Sequence, residues 1–247
     1  MEFRNETYYL LALFVAILIS VSPFIFLRRK KRKHQDLSPE LILEKKKFIY
    51  ALVFPCFFTF LIWFMKFIEI SLKTDFSTFG IFPREWKGLA GIITAPLVHD
   101  DFKHLIDNSV PLFILSLTIF YFYREISYKI FFIIYFITGL LVWIGGREAY
   151  HIGASGLIYG FAAFLFFSGI IRRNVNLLSI SLMVTFLYGS LIWGILPFDY
   201  KISWESHLLG AVTGIAISVV YRDMGPKKIT YSWELEDEEE DEETDKL

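Results

Sequence analysis

The sequence predicts an α-helical protein that crosses a membrane several times. Hydrophobic residues make up 55% of the 247 residues, aromatic residues 19% and charged residues 21%. A soluble domain of this size would have to leave much of its apolar surface in water. The apolar residues are also gathered into long runs separated by charged segments, which is the pattern of successive membrane-spanning helices.

Seven of these runs are long enough, or nearly so, to span a bilayer. About 20 apolar residues cover a hydrocarbon core of about 30 Å, because a helix rises by about 1.5 Å per residue. The first run lacks a small-residue cleavage motif and ends in a basic segment, so we interpret it as an anchor rather than a removable signal. The last is short and rich in small residues, as expected for a helix surrounded by other helices. The predicted spans are residues 8–27, 48–68, 104–123, 129–146, 155–172, 176–197 and 207–221.

The spans and the segments between them define the predicted domain organisation. Residues 1–27 form an N-terminal transmembrane helix, residues 28–47 a basic cytoplasmic linker, residues 48–222 a six-helix core and residues 223–247 an acidic cytoplasmic tail. Within the core, residues 71–103 are too polar to span and too aromatic to float free in water, so we expect them in the outer membrane interface. Within the tail, residues 234–247 carry ten acidic residues and little to bury, which predicts disorder. Its cytoplasmic partner, if it has one, is unknown.

The distribution of lysine and arginine predicts the orientation. With residues 28–47 in the cytoplasm, 17 of the 25 basic residues lie in cytoplasmic segments, as the positive-inside rule requires. The N-terminus is then outside and the C-terminus inside, in a multi-pass protein that we expect in a bacterial cell membrane. The basic run at residues 28–33 directly follows an apolar segment, so we expect it to contact lipid headgroups of the bilayer and expect no nucleic-acid partner.

Three polar residues far apart in the sequence reach the same depth in this topology. His104, Ser155 and His207 each lie at the outer end of a helix that descends inward. An ionisable side chain near hydrocarbon is costly and is usually retained for function. Asn108 follows His104 by one helical turn on the same face. A serine hydroxyl beside an imidazole is the smallest set of groups that can form a nucleophile with its general base.

Glycines accompany both Ser155 and His207. Gly153 and Gly156 flank the serine, which allows a tight entry to the helix and close backbone approach. Gly210 follows His207 by three residues on one face of the last span. The spacing predicts that the two helices approach closely enough for a hydrogen bond between Ser155 and His207.

Taken together, these motifs resemble those of the rhomboid family of intramembrane serine proteases, in their order and in their placement on helices. The resemblance covers about residues 48–222 and implies a rhomboid-like six-helix transmembrane bundle, with residues 1–27 as one additional helix. The matching motifs are His104-x-x-x-Asn108, Gly153-x-Ser155-Gly156 with Tyr159 four residues beyond the serine, and His207-x-x-Gly210-x-x-x-Gly214.

The resemblance also implies a mechanism and a substrate class. Ser155 attacks the scissile carbonyl and His207 transfers the proton, without an acidic third member. Tyr159 packs on the imidazole, and His104 and Asn108 donate hydrogen bonds to the oxyanion. The implied activity is cleavage of transmembrane protein substrates near the outer membrane face, with no cofactor and no metal.

Each motif also has a plainer interpretation. Ser155 alone would be a helix-packing serine, His207 a buried histidine bonded to a carbonyl, and Tyr159 a core aromatic residue. His104 and Asn108 would cap a helix or bind a metal, although no acidic or cysteine ligand shares their face. A further histidine, at position 151, is interpreted as a surface loop residue.

Two other classes of protein compete with the protease. A catalytically inactive rhomboid-like protein would bind or escort membrane proteins, but such relatives typically lack the serine or the histidine, and both are present here. A small transporter would usually show internal repeats or charged residues at the membrane midplane, and the sequence shows neither.

Overall fold

A computed structural model describes residues 38–187, 194–197 and 202–226. The predicted first span, the first half of the basic linker, residues 188–193 of the span at 176–197 and nearly all of the acidic tail lie outside these ranges. Within them the chain is helical, and the only pairing of extended backbone is an isolated bridge between Ile81 and His151. The prediction of an all-α fold is confirmed. The six long helices are α1 Pro39–Leu72, α2 Phe102–Phe122, α3 Ser127–Gly145, α4 Ser155–Ile171, α5 Val175–Leu187 and α6 Trp204–Val220.

Four of these helices, α2, α3, α4 and α6, begin and end within three residues of their predicted spans. Helix α1 differs, since it begins at Pro39 and not near residue 48. Ser38 accepts a hydrogen bond from the Leu41 N–H, and a proline in the first turn suits a helix start, so the helix extends beyond its apolar stretch. By length and composition α1, α2 and α3 can cross a membrane, and α4, α5 and α6 are shorter apolar helices.

Aromatic side chains fill the core between α1, α2 and α3. The rings of Phe54 and Phe120 stack with centroids 4.9 Å apart, and Phe58 meets Phe131 edge-on at 5.1 Å. Phe131 also contacts Phe161 of α4 at 5.3 Å. Large rings in such offset and edge-on arrangements stabilise one another beyond their burial. This packing fixes α4 in the middle of the bundle.

Glycines allow α4 and α6 to cross at very short range, and these two helices share the most extensive contact of any described pair. A Cβ atom placed on Gly210 would lie 2.1 Å from the carbonyl oxygen of Gly156, and one on Gly214 would lie 2.1 Å from that of Gly160. No side chain fits in either place. The two backbones therefore touch directly, in the manner of small-residue helix crossings in membranes.

Residues 73–101 fold against the C-terminal end of α3. They form short helical turns at Ser77–Phe79, Trp86–Leu89, Gly91–Thr94 and Ala95–Leu97. Arg84 donates a 2.7 Å hydrogen bond to the Gly146 carbonyl, and the Trp143 indole donates one of 2.9 Å to the Glu85 carbonyl. The Trp86 side chain is 82% exposed. This loop is thus held in place while presenting an aromatic ring to its surroundings.

A buried ion pair fixes the segment that precedes α2. Lys66 Nζ lies 2.7 Å from Glu69 Oε2 near the end of α1, and it donates to the carbonyls of His99 and Asp100 at 2.9 and 2.8 Å. Glu69 in turn accepts a 3.1 Å bond from the Phe76 N–H. Both charges are therefore paired and hydrogen-bonded, which is the condition for burying them.

Candidate active site

The N-terminal ends of α2, α4 and α6 meet at one end of the bundle. Asp101 caps α2 by accepting a 2.7 Å hydrogen bond from the His104 N–H. Helix α4 begins at Ser155, and His207 lies in the first turn of α6. Gly153 enters α4 with a φ of +97°, a conformation that glycine adopts without strain. Local capping and this turn therefore bring all three polar residues to the same place.

Ser155 and His207 are directly hydrogen-bonded. The Ser155 Oγ lies 2.8 Å from His207 Nε2, and both residues are buried. The other ring nitrogen, Nδ1, lies 2.8 Å from the carbonyl oxygen of Gly194. A carbonyl only accepts, so Nδ1 carries the ring proton and Nε2 is free to accept the serine proton. This is the arrangement of a nucleophile with its base.

Sequence reasoning did not identify Gly194. Gly194 contributes only its backbone carbonyl, a group that every residue possesses. The carbonyl bonds to His207, which lies 13 residues later on α6. Proximity in the sequence gives no sign of such a contact. The orienting group of the histidine is visible only once the fold is known.

Tyr159 stacks on the His207 ring. The two ring centroids are 4.1 Å apart and the planes are inclined by 12°. Tyr159 lies one turn along α4 from Ser155, so the serine and the tyrosine contact the edge and the face of the same imidazole. The stack restricts rotation of the ring, and the hydrogen bond to Gly194 fixes the position of its plane.

His104 and Asn108 lie beside Gly153, on the approach to Ser155. A Cβ atom on Gly153 would lie 2.8 Å from His104 Nε2 and 3.4 Å from Asn108 Nδ2. The Asn108 amide nitrogen is buried and has no hydrogen-bond partner within the described part of the chain. A buried donor without a partner is costly and calls for an explanation. A group that binds only during a reaction would provide one.

His99 supports Ala154, the residue before Ser155. It is 1% exposed, and its Nε2 accepts a 3.4 Å hydrogen bond from the Ala154 N–H. Its ring also packs edge-on against His104 at 5.1 Å. Burial, and secondarily the neighbouring His104, lowers the pKa of His99 to about 3. A neutral imidazole is what the acceptor position beside Ala154 requires.

His151 is buried, so its interpretation as a surface loop residue was wrong. It is 2% exposed, and its backbone pairs in both directions with Ile81. Its Nδ1 lies 2.5 Å from Ser203 Oγ and its Nε2 lies 3.1 Å from the Arg147 carbonyl. This burial could not be predicted from the neighbouring residues, because two of the three partners lie more than 50 residues away in the chain.

The acidic residues near the site do not take part in the serine–histidine pair. Asp107 forms an exposed 2.7 Å ion pair with Lys103, and Asp101 caps α2. Among the residues that the structure describes, no cluster of three or more histidine, cysteine, aspartate or glutamate side chains could hold a metal ion.

The fold and the site together define an all-α membrane protein with a buried serine–histidine pair at one end of its bundle. The rhomboid domain model matches residues 86–224. Uncharacterized proteins of Mycobacterium bovis and Mycobacterium tuberculosis are each 34% identical over 169 residues, covering 64% of this chain and 70% of each relative. One from Mycobacterium leprae is 30% identical over 168 residues, covering 64% of this chain and 66% of that protein. No solved structure matches. The chain belongs to the rhomboid family, which confirms the resemblance stated above.

Proposed function

We propose that this chain is an intramembrane serine endopeptidase that cleaves transmembrane protein substrates near the outer face of a bacterial cell membrane. The single observation that carries the proposal is the 2.8 Å hydrogen bond between Ser155 Oγ and His207 Nε2. It joins a hydroxyl to an imidazole whose other nitrogen is already committed to the Gly194 carbonyl. That geometry supports proton transfer from the serine as it attacks an acyl carbon.

The proposed reaction proceeds through an acyl-enzyme. Ser155 Oγ bonds to the scissile carbonyl carbon while its proton moves to His207 Nε2, and the protonated ring then gives that proton to the leaving amine as the C–N bond breaks. A water molecule next attacks the ester, again with His207 accepting and returning the proton. The ring is positively charged between these transfers, and the Gly194 carbonyl accepting from Nδ1–H stabilises that charge.

His104 and Asn108 are the proposed donors to the oxyanion. The unpaired Asn108 amide supports this assignment, since its donor is already desolvated and needs no rearrangement to bind developing negative charge. Gly153 leaves room for the substrate carbonyl beside both residues, because any side chain there would meet the His104 ring. The resemblance to the family implies one further requirement on the substrate. Its transmembrane helix must unwind locally before cleavage, because an intact helix shields its carbonyls.

The alternative is a catalytically inactive family member that binds or escorts membrane proteins. The bonded Ser155–His207 pair disfavours it, since a binding protein has no need of an oriented nucleophile and base.

Labelling with a fluorophosphonate probe tests the proposal. The full chain in detergent is expected to become labelled, and Ser155→Ala and His207→Ala are expected to abolish labelling. Ser116→Ala removes another buried serine hydroxyl, one bonded to the Leu112 carbonyl, and is expected to label like wild type. Labelling that persists in Ser155→Ala would show that the proposed protease function is wrong.

The proposed orientation has its own test. Single cysteines placed in residues 28–37 and in residues 73–90 are expected to react with a membrane-impermeant reagent from opposite sides of the membrane, the second group from outside. Reaction from one side would show that the topology is wrong.

A further inference from the structure

We propose that His151 and Ser203 are positioning residues: a hydrogen-bonded link between them holds the first turn of α6, and with it His207, in register with Ser155. The inference rests on the proposed function, since the register matters only if Ser155 reacts. It concerns residues outside the serine–histidine pair and outside the oxyanion donors.

One side of the link is fixed by backbone hydrogen bonds. The His151 N–H donates to the Ile81 carbonyl and the Ile81 N–H to the His151 carbonyl, both at 2.9 Å. Two residues further, the Gly153 N–H donates to the Ala95 carbonyl at 2.9 Å. The segment that leads into Ser155 is thereby held against residues 73–101. His151 is a rigid reference point four residues before the nucleophile.

The other side of the link is Ser203, whose side chain does not cap the helix that it precedes. Ser203 occupies the N-cap position of α6, where a serine oxygen ordinarily accepts from a backbone N–H of the first turn. No such cap bond exists here. The Ser203 hydroxyl instead lies 2.5 Å from His151 Nδ1 and 2.7 Å from Ser206 Oγ. Local helix capping has been replaced by a tertiary contact.

The donor and the acceptor of each hydrogen bond in the link can be assigned from the Arg147 carbonyl, because a carbonyl can only accept. His151 Nε2 faces the Arg147 carbonyl, so Nε2 carries the proton and Nδ1 accepts from the Ser203 hydroxyl. The Ser203 oxygen then accepts from the Ser206 hydroxyl. Burial lowers the pKa of His151, which favours the neutral ring that this chain of bonds requires. Every polar atom in the link is satisfied.

The link reaches His207 within one helical turn. The His207 N–H donates to the Ser203 carbonyl at 3.4 Å, so a shift of Ser203 is passed to the backbone of the histidine. A second contact acts in parallel: Glu205 is 4% exposed and forms an ion pair with Arg147 at 3.2 Å. Together with the glycine crossing, this ion pair keeps α6 attached when the Ser203 link is broken. Loss of the link therefore loosens the first turn without releasing the helix.

The test compares labelling rates in the full chain, in detergent, with a fluorophosphonate probe. Ser203→Ala is expected to lower the rate constant by about tenfold, because small displacements of a reacting pair have large effects on rate. Ser203→Thr keeps the hydroxyl and is expected to restore most of the rate. The matched control is Ser218→Ala on the same helix, a fully buried serine that bonds to the Ile215 carbonyl and is expected to label like wild type.

Thermal unfolding separates positioning from general stability. Ser203→Ala leaves the buried His151 Nδ1 without a donor and is expected to lower the unfolding temperature more than Ser218→Ala does, while both variants stay folded at the labelling temperature and only Ser203→Ala slows labelling. The double variant His151→Leu/Ser203→Ala is expected to label no more slowly than the slower single variant, because both changes break the same link. Additive losses would show two separate effects and overturn the inference.

Two other outcomes are distinguishable. If wild type labels and Ser203→Ala labels at the same rate, or if Ser203→Thr is as slow as Ser203→Ala, the positioning role is wrong and the protease stands. If wild type does not label at all, the proposed function fails and the positioning role falls with it.

Discussion

Replacing Gly210 by alanine is expected to force α4 and α6 apart and to disconnect His207 from Ser155. The added Cβ would lie 2.1 Å from the Gly156 carbonyl oxygen, and ordinary van der Waals contact begins near 3.4 Å. The backbones must therefore separate by about 1.3 Å, because neither atom belongs to a flexible side chain. Gly156 follows Ser155 directly, and Gly210 lies one turn after His207, so the separation acts on the pair itself.

The size of the effect follows from the geometry. An Oγ–Nε2 distance of 2.8 Å that grows by a similar amount reaches about 4 Å, beyond hydrogen-bonding range. Misplacement by about 1 Å costs roughly 100-fold in rate. Overpacking of this kind also destabilises a protein by about 1–3 kcal/mol, partly offset by up to about 1 kcal/mol of better helix propensity for alanine.

The assay is the rate of fluorophosphonate labelling, measured beside the unfolding temperature. Gly145→Ala is the control: it adds the same methyl group at the end of α3, where no described residue has an atom within 4 Å, and it is expected to leave labelling unchanged. Wild-type labelling by Gly210→Ala would refute the reasoning, because it would mean that the two backbones do not touch as described.

Three further changes have distinct expected outcomes. Tyr159→Leu is expected to slow labelling about two- to tenfold, the worth of one ring stack, while Tyr159→Phe keeps the stack and most of the rate, as the same assay would show. Asn108→Ala is expected to lower peptidase turnover by about 100- to 1,000-fold and to leave the unfolding temperature nearly unchanged, because the lost amide donor has no partner among the residues that the structure describes. Lys66→Met is expected to destabilise the fold by about 3–5 kcal/mol in chemical unfolding, whereas Lys66→Met/Glu69→Met costs less, since only the single change leaves an unpaired buried charge.

The sequence predicted the helices well because hydrophobicity is a local property. Long apolar runs between charged segments locate α2, α3, α4 and α6 to within three residues. The start of α1 was missed because it is set by Ser38 and Pro39, in a segment whose basic residues suggested a linker. A run of apolar residues predicts only the part of a helix that lies in the hydrocarbon of the membrane. The helix itself can continue beyond that run to its capping residues.

The candidate site divides along the same line. Ser155 and His207 were singled out because their motifs fall at the same end of alternate spans, and the structure places them in contact. Gly194 and Ser203 carry no such motif, since a carbonyl and an unremarkable serine acquire their importance only from neighbours distant in the chain. His151 was misjudged for the same reason. Residues whose type and motif point to a function were predicted from the sequence. Residues that matter only because of their contacts in the fold were not.

No carboxylate bonds to the His207 ring in the described part of the chain, and the site offers a physical explanation. A carboxylate buried at that depth would lose its hydration, and the cost of removing a charge from water can exceed what its attraction to the ring returns. The neutral Gly194 carbonyl selects the same tautomer without that cost, and the Tyr159 stack supplies the orientation. A carbonyl stabilises the imidazolium less than a carboxylate would. In the proposed reaction, more of the transition-state stabilisation must then come from the proposed oxyanion donors, of which the buried Asn108 amide is one. On this reasoning, loss of Asn108 should slow peptide hydrolysis more than loss of Tyr159 does.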